Sequence, residues 1–213
     1  MKKQLLSLIV AILMASTAFS QPVRIATSNT YWEIIDTTLH ITGTGAIPNF
    51  GYGQAPWYRN STNVTQLSIA DGITAIGSYA FYGCSSLSGD LVIPDKVTTI
   101  ESRAFRDCSK LSSLTLSADL TSIGDLAFYN CSSLSGSLII PDKVTTIGAT
   151  AFYKCSKLSS LTLSADLTSI GESTFYDCNS LSGALVIPDK VTTIGDHAFN
   201  GCSELSSLTL PAI

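Results

Sequence analysis

The chain has 213 residues, of which 45% are hydrophobic and 13% are charged. This composition argues against intrinsic disorder and fits one globular or repetitive domain. The formal net charge of −4 argues against a nucleic-acid partner.

The first twenty residues differ from the rest of the chain. The basic start MKKQ precedes an apolar run, LLSLIVAILMA, and the small-x-small triplet that ends at Ser20 precedes Gln21. This order is typical of a secretory signal peptide, and the apolar run is too short to span a bilayer. We therefore expect cleavage after residue 20 and an exported chain without a membrane span, which is secreted, held at the cell surface or periplasmic.

Residues 21–63 concentrate aromatic side chains, namely Tyr31, Trp32, Phe50, Tyr52, Trp57 and Tyr58. The Gly and Pro residues of GAIPNFGYGQAPW indicate an irregular loop. We interpret 21–63 as an aromatic N-terminal cap, because the open end of a stack of repeats needs covering. A carbohydrate-binding platform is the alternative.

From residue 64 to residue 213 the chain is repetitive. Phe and Cys recur three residues apart, at Phe81/Cys84, Phe105/Cys108, Phe128/Cys131, Phe152/Cys155, Phe175/Cys178 and Phe199/Cys202. The steps between these pairs are 24, 23, 24, 23 and 24 residues, and a fixed period of this length is the sequence mark of a solenoid. We count six full coils, from Val64 to Cys202, and a partial seventh that ends near Leu210.

One coil illustrates the predicted elements. The segment LSSLTL at 111–116 alternates as a short strand, SAD turns the chain, and LTSI at 120–123 is a second extended piece. Gly124 allows a bend, and Phe128 with its neighbours favours a helical turn packed inward. An isolated coil would leave the apolar side chains on both of its flat faces exposed to water, so we expect the stability of the fold to come from the stacking of coils.

The repeat LxIPxxVTxIGxxAFxxCxxL resembles the BspA-type leucine-rich repeat of bacterial surface proteins, over about residues 64–210. The preceding segment resembles the cap of that family through Trp32, TLHITGTGAI, APW and IADGITAIGSYAF. The resemblance implies a right-handed leucine-rich-repeat solenoid, rich in β-structure, with short parallel strands and short helical turns. It also implies a secreted or surface binding protein, often linked to adhesion, and it transfers no catalytic residue.

Two kinds of coil alternate, which gives a double repeat of 47 residues. The odd coils carry one extra residue around Gly89, Gly136 and Gly183. Alignment of the coils stacks residues of opposite charge in the order Lys96, Asp119, Lys143, Asp166 and Lys190. We predict a charge ladder that sets the register between coils, because one coil type alone would place like charges face to face.

The cysteines fall at one inward position of successive coils, as Cys84, Cys108, Cys131, Cys155, Cys178 and Cys202. Side chains stacked in this way would have Cβ atoms about 4.8 Å apart, beyond the usual ~3.5–4.5 Å of a disulfide. We predict a column of buried free thiols, with a disulfide framework as the alternative. With only two histidines, His40 and His197, and no convergent carboxylates, we predict neither a metal site nor a cofactor.

The outward positions of the strands form the candidate binding face, which consists of Val92, Thr115, Ile139, Thr162, Val186 and Thr209. The aliphatic members of this face, Val92, Ile139 and Val186, lie among small polar groups, and exposed apolar strips of this kind are typical of contact sites. A second outward column consists of Thr74, Thr98, Thr121, Thr145, Thr168 and Thr192. Such an array could order water or bind glycans.

The sequence therefore predicts a non-catalytic binding protein that engages a protein partner through its strands, as in adhesion. A glycan-binding module that uses the aromatic cap or the threonine column is the alternative, and a structural component of a longer repeat array is more remote. No nucleophile–base pair or metal cluster indicates an enzyme. The last strand, which ends near Leu210, would leave a coil face bare, so we also expect end-to-end self-association or a longer array.

Overall fold

The computed structural model describes residues 21–26 and 28–211, so the predicted signal peptide at 1–20 lies outside the described residues. The described residues form seventeen strands and one 3-10 helix, Tyr58–Asn60. The strands are β1 Val23–Arg24, β2 Thr30–Ile35, β3 Thr38–Gly43, β4 Gly45–Ile47, β5 Gln66–Ile69, β6 Ile73–Ile76, β7 Ser88–Val92, β8 Thr99–Ile100, β9 Lys110–Thr115, β10 Ser122–Ile123, β11 Ser135–Ile139, β12 Thr146–Ile147, β13 Lys157–Thr162, β14 Ser169–Ile170, β15 Gly183–Val186, β16 Thr193–Ile194 and β17 Leu205–Thr209.

The short strands stack as one parallel sheet along a flank of the molecule. Strands β4, β6, β8, β10, β12, β14 and β16 are neighbours in that order, each from a successive coil. The register places Ile76 beside Ile100, and Ile123 beside Ile147. The predicted solenoid of about six coils is confirmed, because equivalent residues of successive coils lie on one another.

A glycine follows most of these short strands, because the preceding coil leaves no room for a side chain. A Cβ atom built on Gly148 would lie 2.5 Å from the backbone nitrogen of Asp125, and one on Gly171 would lie 2.5 Å from that of Ala149. Backbone atoms cannot move aside as a flexible side chain can. Successive coils are therefore in direct backbone contact at this bend.

The longer strands form separate pairs on another flank. β7 pairs with β9, β11 with β13, and β15 with β17, whereas β9 and β11 do not pair with each other in the described part of the chain, nor do β13 and β15. In each pair the register shifts at a glycine in the left-handed region, with φ of +80° at Gly89, +77° at Gly136 and +81° at Gly183. The extra residue predicted in the odd coils lies here, and the odd–even pair of coils is the structural unit.

The third side of each coil consists of turns, where the sequence predicted a helical turn. Its backbone N–H groups alternate: Phe105 donates to the carbonyl of Ala127 in the next coil, whereas Cys108 donates back to Phe105. This alternation uses left-handed residues such as Arg103 and Asp107, with φ of +60° and +63°. Because the turns themselves hydrogen-bond to the next coil, they lie at the ~4.8 Å spacing of paired strands, which is narrower than the ~10 Å width of an α-helix.

Phenylalanine rings form the centre of the core. The ring centroids of Phe105 and Phe128 are 5.3 Å apart, and those of Phe128 and Phe152 are 5.2 Å apart, with the ring planes nearly parallel. Phe81 and Phe175 continue the column, and all five rings are buried. Burial of this continuous apolar column is the main force that holds the coils together.

The aromatic segment before residue 64 closes the first coil. Trp57 is fully buried, stacks on Phe81 with ring centroids 5.6 Å apart, and donates from Nε1 to the carbonyl oxygen of Ala80 at 2.7 Å. Trp32 and Phe50 pack edge-on against Trp57. The strands β3 and β4 of this segment pair in parallel with β5 and β6, so the segment also supplies a first turn of the stack.

Candidate functional site

The six predicted outward positions lie together on the solvent side of the paired strands. Val92, Ile139 and Val186 are 60%, 63% and 62% exposed, although each follows a buried leucine on its strand. Their direct cross-strand neighbours are the exposed residues Thr115, Thr162 and Thr209, respectively. These six side chains constitute the strand face. Each strand pair contributes one exposed aliphatic side chain beside one threonine.

A groove of about 580 Å³ opens on the strand face between β9 and β11. Its lining includes Leu114, Leu116 and Ala118 on one side and Ile139 and Pro141 on the other. β9 and β11 are not paired as sheet neighbours in the described part of the chain, although Oγ of Ser135 donates to the carbonyl oxygen of Ser112 at 3.0 Å where the two strands approach. The groove therefore follows the junction between two strand pairs, which sequence reasoning did not anticipate because it treated the strands as one continuous face.

The predicted charge ladder forms in two of its four steps. The Nζ atoms of Lys143 and Lys190 lie 2.5 Å from Oδ1 of Asp119 and Asp166, respectively. Among the described residues Lys96 forms no ion pair, and Lys143 does not pair with Asp166. Both ion pairs cross a junction where strands are unpaired, from β9 to β11 and from β13 to β15. They link neighbouring strand pairs instead of running along the whole stack.

The cysteines occupy the predicted inward positions. The structure places all six as free thiols, five of them buried and Cys202 half-buried. Sγ of Cys108 donates to the carbonyl oxygen of Phe81 at 3.1 Å, and the equivalent contact recurs in the later coils. Burial raises the pKa of Cys84 to about 12 and that of Cys202 to about 11, which suppresses the reactive thiolate at neutral pH. That the thiols stay free in solution remains a prediction.

The groups considered for glycan binding are largely engaged within the fold. Oγ1 of Thr121 donates to the carbonyl oxygen of Thr98 at 2.9 Å, and other threonines of the column make the same contact. In the cap Trp57 is buried, whereas Tyr52 is 65% exposed. Of these aromatic groups, Tyr52 is the one most open to a ligand.

A column of tyrosines on the turn side was not predicted. Tyr129, Tyr153 and Tyr176 each follow a core phenylalanine, and their rings stack with centroids 4.9 Å apart at each step. The guanidinium carbon of Arg106 lies 4.6 Å from the ring centroid of Tyr129 and 5.7 Å from that of Tyr82. The recurring Phe-Tyr pair was the signal in the sequence. Neighbouring groups cover both ring faces of Tyr129 and Tyr153, so these two side chains present mainly their edges and hydroxyl groups.

No helix within the described residues is long and apolar enough to cross a bilayer. Over residues 21–26 and 28–211, no three His, Cys, Asp or Glu side chains are grouped so as to hold a metal ion.

Comparison with protein families matched one described as a BspA type leucine rich repeat region, in six copies, over residues 55–182 and 135–212. These ranges include every coil that carries the Phe-x-x-Cys pair. A search of curated proteins found no match.

Solved bacterial leucine-rich-repeat proteins share the fold. A protein from T. pallidum is 22% identical over 86% of this chain and 91% of its own, with a TM-score of 0.68. One from Bacteroides ovatus is 24% identical over 89% of this chain and 54% of its own, with a TM-score of 0.69.

A leucine rich cell surface protein from Faecalibacterium prausnitzii is 30% identical over 92% of this chain and 58% of its own, with a TM-score of 0.64. The chain thus spans little more than half of the length of this protein and of the one from Bacteroides ovatus. From the repeat, the stacked coils and the family match, we conclude that the chain belongs to the BspA-type leucine-rich repeat family.

Proposed function

We propose that this chain is an exported, non-catalytic binding protein that contacts a protein partner through the strand face, as in adhesion. Family membership indicates a protein-binding or surface repeat protein. The observation that carries the proposal is the row of exposed aliphatic side chains at Val92, Ile139 and Val186. They recur at the same position of every second coil.

The chemistry of the strand face suits a protein ligand. Contact would remove the three aliphatic side chains from water, which is favourable by about 25 cal/mol for each Å² of apolar surface. The neighbouring Thr115, Thr162 and Thr209 supply hydroxyl groups for hydrogen bonds at the contact. None of the six side chains carries a charge that would have to be desolvated at the contact.

The experiment compares the mature chain with a variant that carries Val92→Lys, Ile139→Lys and Val186→Lys, on a panel of purified extracellular-matrix proteins. We expect the variant to lose binding by at least about tenfold, because three charges would have to be desolvated at the contact. The matched control carries Thr74→Lys, Thr121→Lys and Thr168→Lys on the threonine column and should bind as the parent chain does. Equal binding by the strand-face variant would contradict the proposal.

A glycan-binding role is the second candidate, and the 65% exposure of Tyr52 favours it. An exposed aromatic ring offers an apolar surface beside a hydroxyl group. A glycan array probed with the mature chain and with Tyr52→Ala separates the two roles. Glycan binding that is lost with Tyr52→Ala, together with no measurable binding to the panel of matrix proteins, would favour this candidate.

Export and surface location are part of the proposal. The basic and apolar order of residues 1–20 supports export, and the similar protein from Faecalibacterium prausnitzii is described as a cell surface protein. Detection of the chain outside the cytoplasm, cleaved before Gln21, is the expected result of fractionation and N-terminal sequencing.

The last described coil supports a further proposal, that a second copy of the chain stacks on it end to end. Leu208 and Leu210 are 44% and 59% exposed there, and Ile194 is 38% exposed. β16 and β17 are the outermost strands of their sheets among the described residues, so each presents an open edge. Stacking would continue the core column and the strand pairing across the contact.

A further inference from the structure

We infer that the groove between β9 and β11 binds an extended, apolar peptide segment that carries a basic side chain. The inference rests on the proposed function, in which the strand face contacts a protein, and it assigns the place of the ligand and its chemistry.

The walls of the groove call for apolar side chains. Leu114 and Leu116 are only half-buried, and Ile139 is 63% exposed on the opposite wall. Ala118 and Pro141 extend the apolar lining. The volume of about 580 Å³ falls within the range of about 300–1,000 Å³ that is usual for binding pockets. Aliphatic side chains of a ligand would fill this space and remove the walls from water.

The backbone on either side of the groove calls for an extended ligand. β9 uses one edge to pair with β7, and β11 uses its far edge to pair with β13. Among the described residues, β9 and β11 are not sheet neighbours, and the contact of Ser135 Oγ with the carbonyl oxygen of Ser112 at 3.0 Å lies outside the lining of the groove. An unpaired strand edge presents N–H and C=O groups that an extended peptide can satisfy, as in strand addition. A helical ligand satisfies its own backbone groups and would leave these edges unpaired.

The charge at one end of the groove calls for a basic group. Asp142 and Lys143 both line that end, and Lys143 is paired with Asp119. Asp142 is exposed and forms no ion pair within the described residues. A negative charge therefore remains uncompensated beside apolar walls, which is complementary to a lysine or arginine of the ligand.

The same residue types recur one double repeat later. The equivalents of the apolar walls and of the acidic group include Leu161, Ala165, Val186, Pro188 and Asp189, while Ser137 is replaced by Ala184. There too the strands, β13 and β15, are unpaired, and Lys190 is held by Asp166. We therefore expect a second site of the same chemistry two coils along the stack.

The first experiment measures the binding of labelled peptides to the mature chain by fluorescence anisotropy. The probe is the peptide Arg-Val-Thr-Val-Thr-Val-Arg, whose arginines flank an alternating segment so that either orientation places one near Asp142. Its comparisons are the same peptide N-methylated at alternate backbone nitrogens and a version with glutamate in place of both arginines. We expect each change to weaken binding by about tenfold or more. Equal binding of all three peptides, or no measurable binding of the arginine peptide, would overturn the inference.

The second experiment locates the site. Thr115→Trp combined with Thr162→Trp places a large ring at the groove and at its equivalent, while Thr121→Trp combined with Thr168→Trp is the matched control on the other flank of the same coils. Circular dichroism and thermal melting establish that both variants fold. We expect the groove variant to lose peptide binding by about tenfold or more and the control to keep it.

The outcomes separate this inference from the proposed function. If the variant with Val92→Lys, Ile139→Lys and Val186→Lys loses matrix-protein binding while the groove variant keeps peptide binding, the strand face stands and the groove assignment is wrong. If the groove variant loses peptide binding while the variant with three lysines binds matrix proteins as the parent chain does, the groove is a peptide site and the proposed contact through the whole strand face is wrong.

Discussion

At the scale of the residue, the cysteines show how stacking controls reactivity. Each of the five buried thiols lies between the coil before it and the coil after it, and burial raises the pKa of these thiols. The thiolate is the form that attacks disulfides and alkylating reagents. Cys202 differs because it is half-buried in the last described coil.

We predict that the folded protein at pH 8 shields its buried thiols and that Cys202 reacts first with a disulfide reagent such as Ellman's. The unfolded chain without reductant should then release the full count of six thiols. Thiol titration followed over time measures both. A denatured, unreduced sample with no free thiol would establish disulfides, and uniform rapid reaction of the folded protein would contradict the burial.

At the scale of the element, the junction between successive strands is stabilised in two different ways. Within an odd–even unit the backbone ladder joins the strands. Between units the strands form no ladder, and the links include the Asp119–Lys143 and Asp166–Lys190 ion pairs and single hydrogen bonds such as that from Ser182 N–H to the carbonyl oxygen of Ser159 at 3.1 Å. The ion-paired side chains are about half exposed, so each pair is worth less than about 1 kcal/mol. The bend that follows each short strand is under a stricter constraint, since backbone meets backbone there.

We therefore predict that Gly148→Ala destabilises the protein by about 1–3 kcal/mol, because its Cβ would overlap the backbone of Asp125. The exposed Thr146→Ala, two residues earlier in the same coil, should change the free energy of unfolding by about 0.5 kcal/mol or less. Urea denaturation measures both. A Gly148→Ala variant as stable as the parent chain would show that the coils can separate at this bend.

At the scale of the whole molecule, the apolar column ends at side chains that are open to solvent in the last described coil. We predict that the apparent mass of the mature chain rises with concentration, and that Leu208→Lys combined with Leu210→Lys abolishes this rise. Size-exclusion chromatography with light scattering at several concentrations gives the measurement. Thr121→Lys is the surface control. A parent chain that stays monomeric over the whole range would contradict end-to-end stacking.

The repeat in the sequence was sufficient to predict the stack, because residues one period apart must occupy equivalent places. Phe105, Phe128 and Phe152 thus lie on one another, and the extra residue at Gly136 marks the shift in register. The turn side was less predictable. Residues such as Ala127 and Phe128 are compatible with a helix, and the spacing between coils, a tertiary property, decides against it.

The candidate site was predictable in its residues but not in its shape. Alternation along the strands identified Val92, Ile139 and Val186 as outward. The sequence does not reveal which neighbouring strands separate, and the long lysine side chain can reach the coil on either side. The open junction beside Ile139, and the choice of Asp119 as the partner of Lys143, could therefore be seen only in three dimensions.

The pairing of odd and even coils limits how such a molecule can change its length. Removing 47 residues, one odd coil and the even coil that follows it, would leave every remaining odd coil paired with an even coil. Removing a single coil of 23 or 24 residues would bring two coils of the same type together. The strand pair at that point would then lack its match of one coil with a glycine register shift and one coil without. A change of length that keeps every strand pair intact therefore involves two coils at a time.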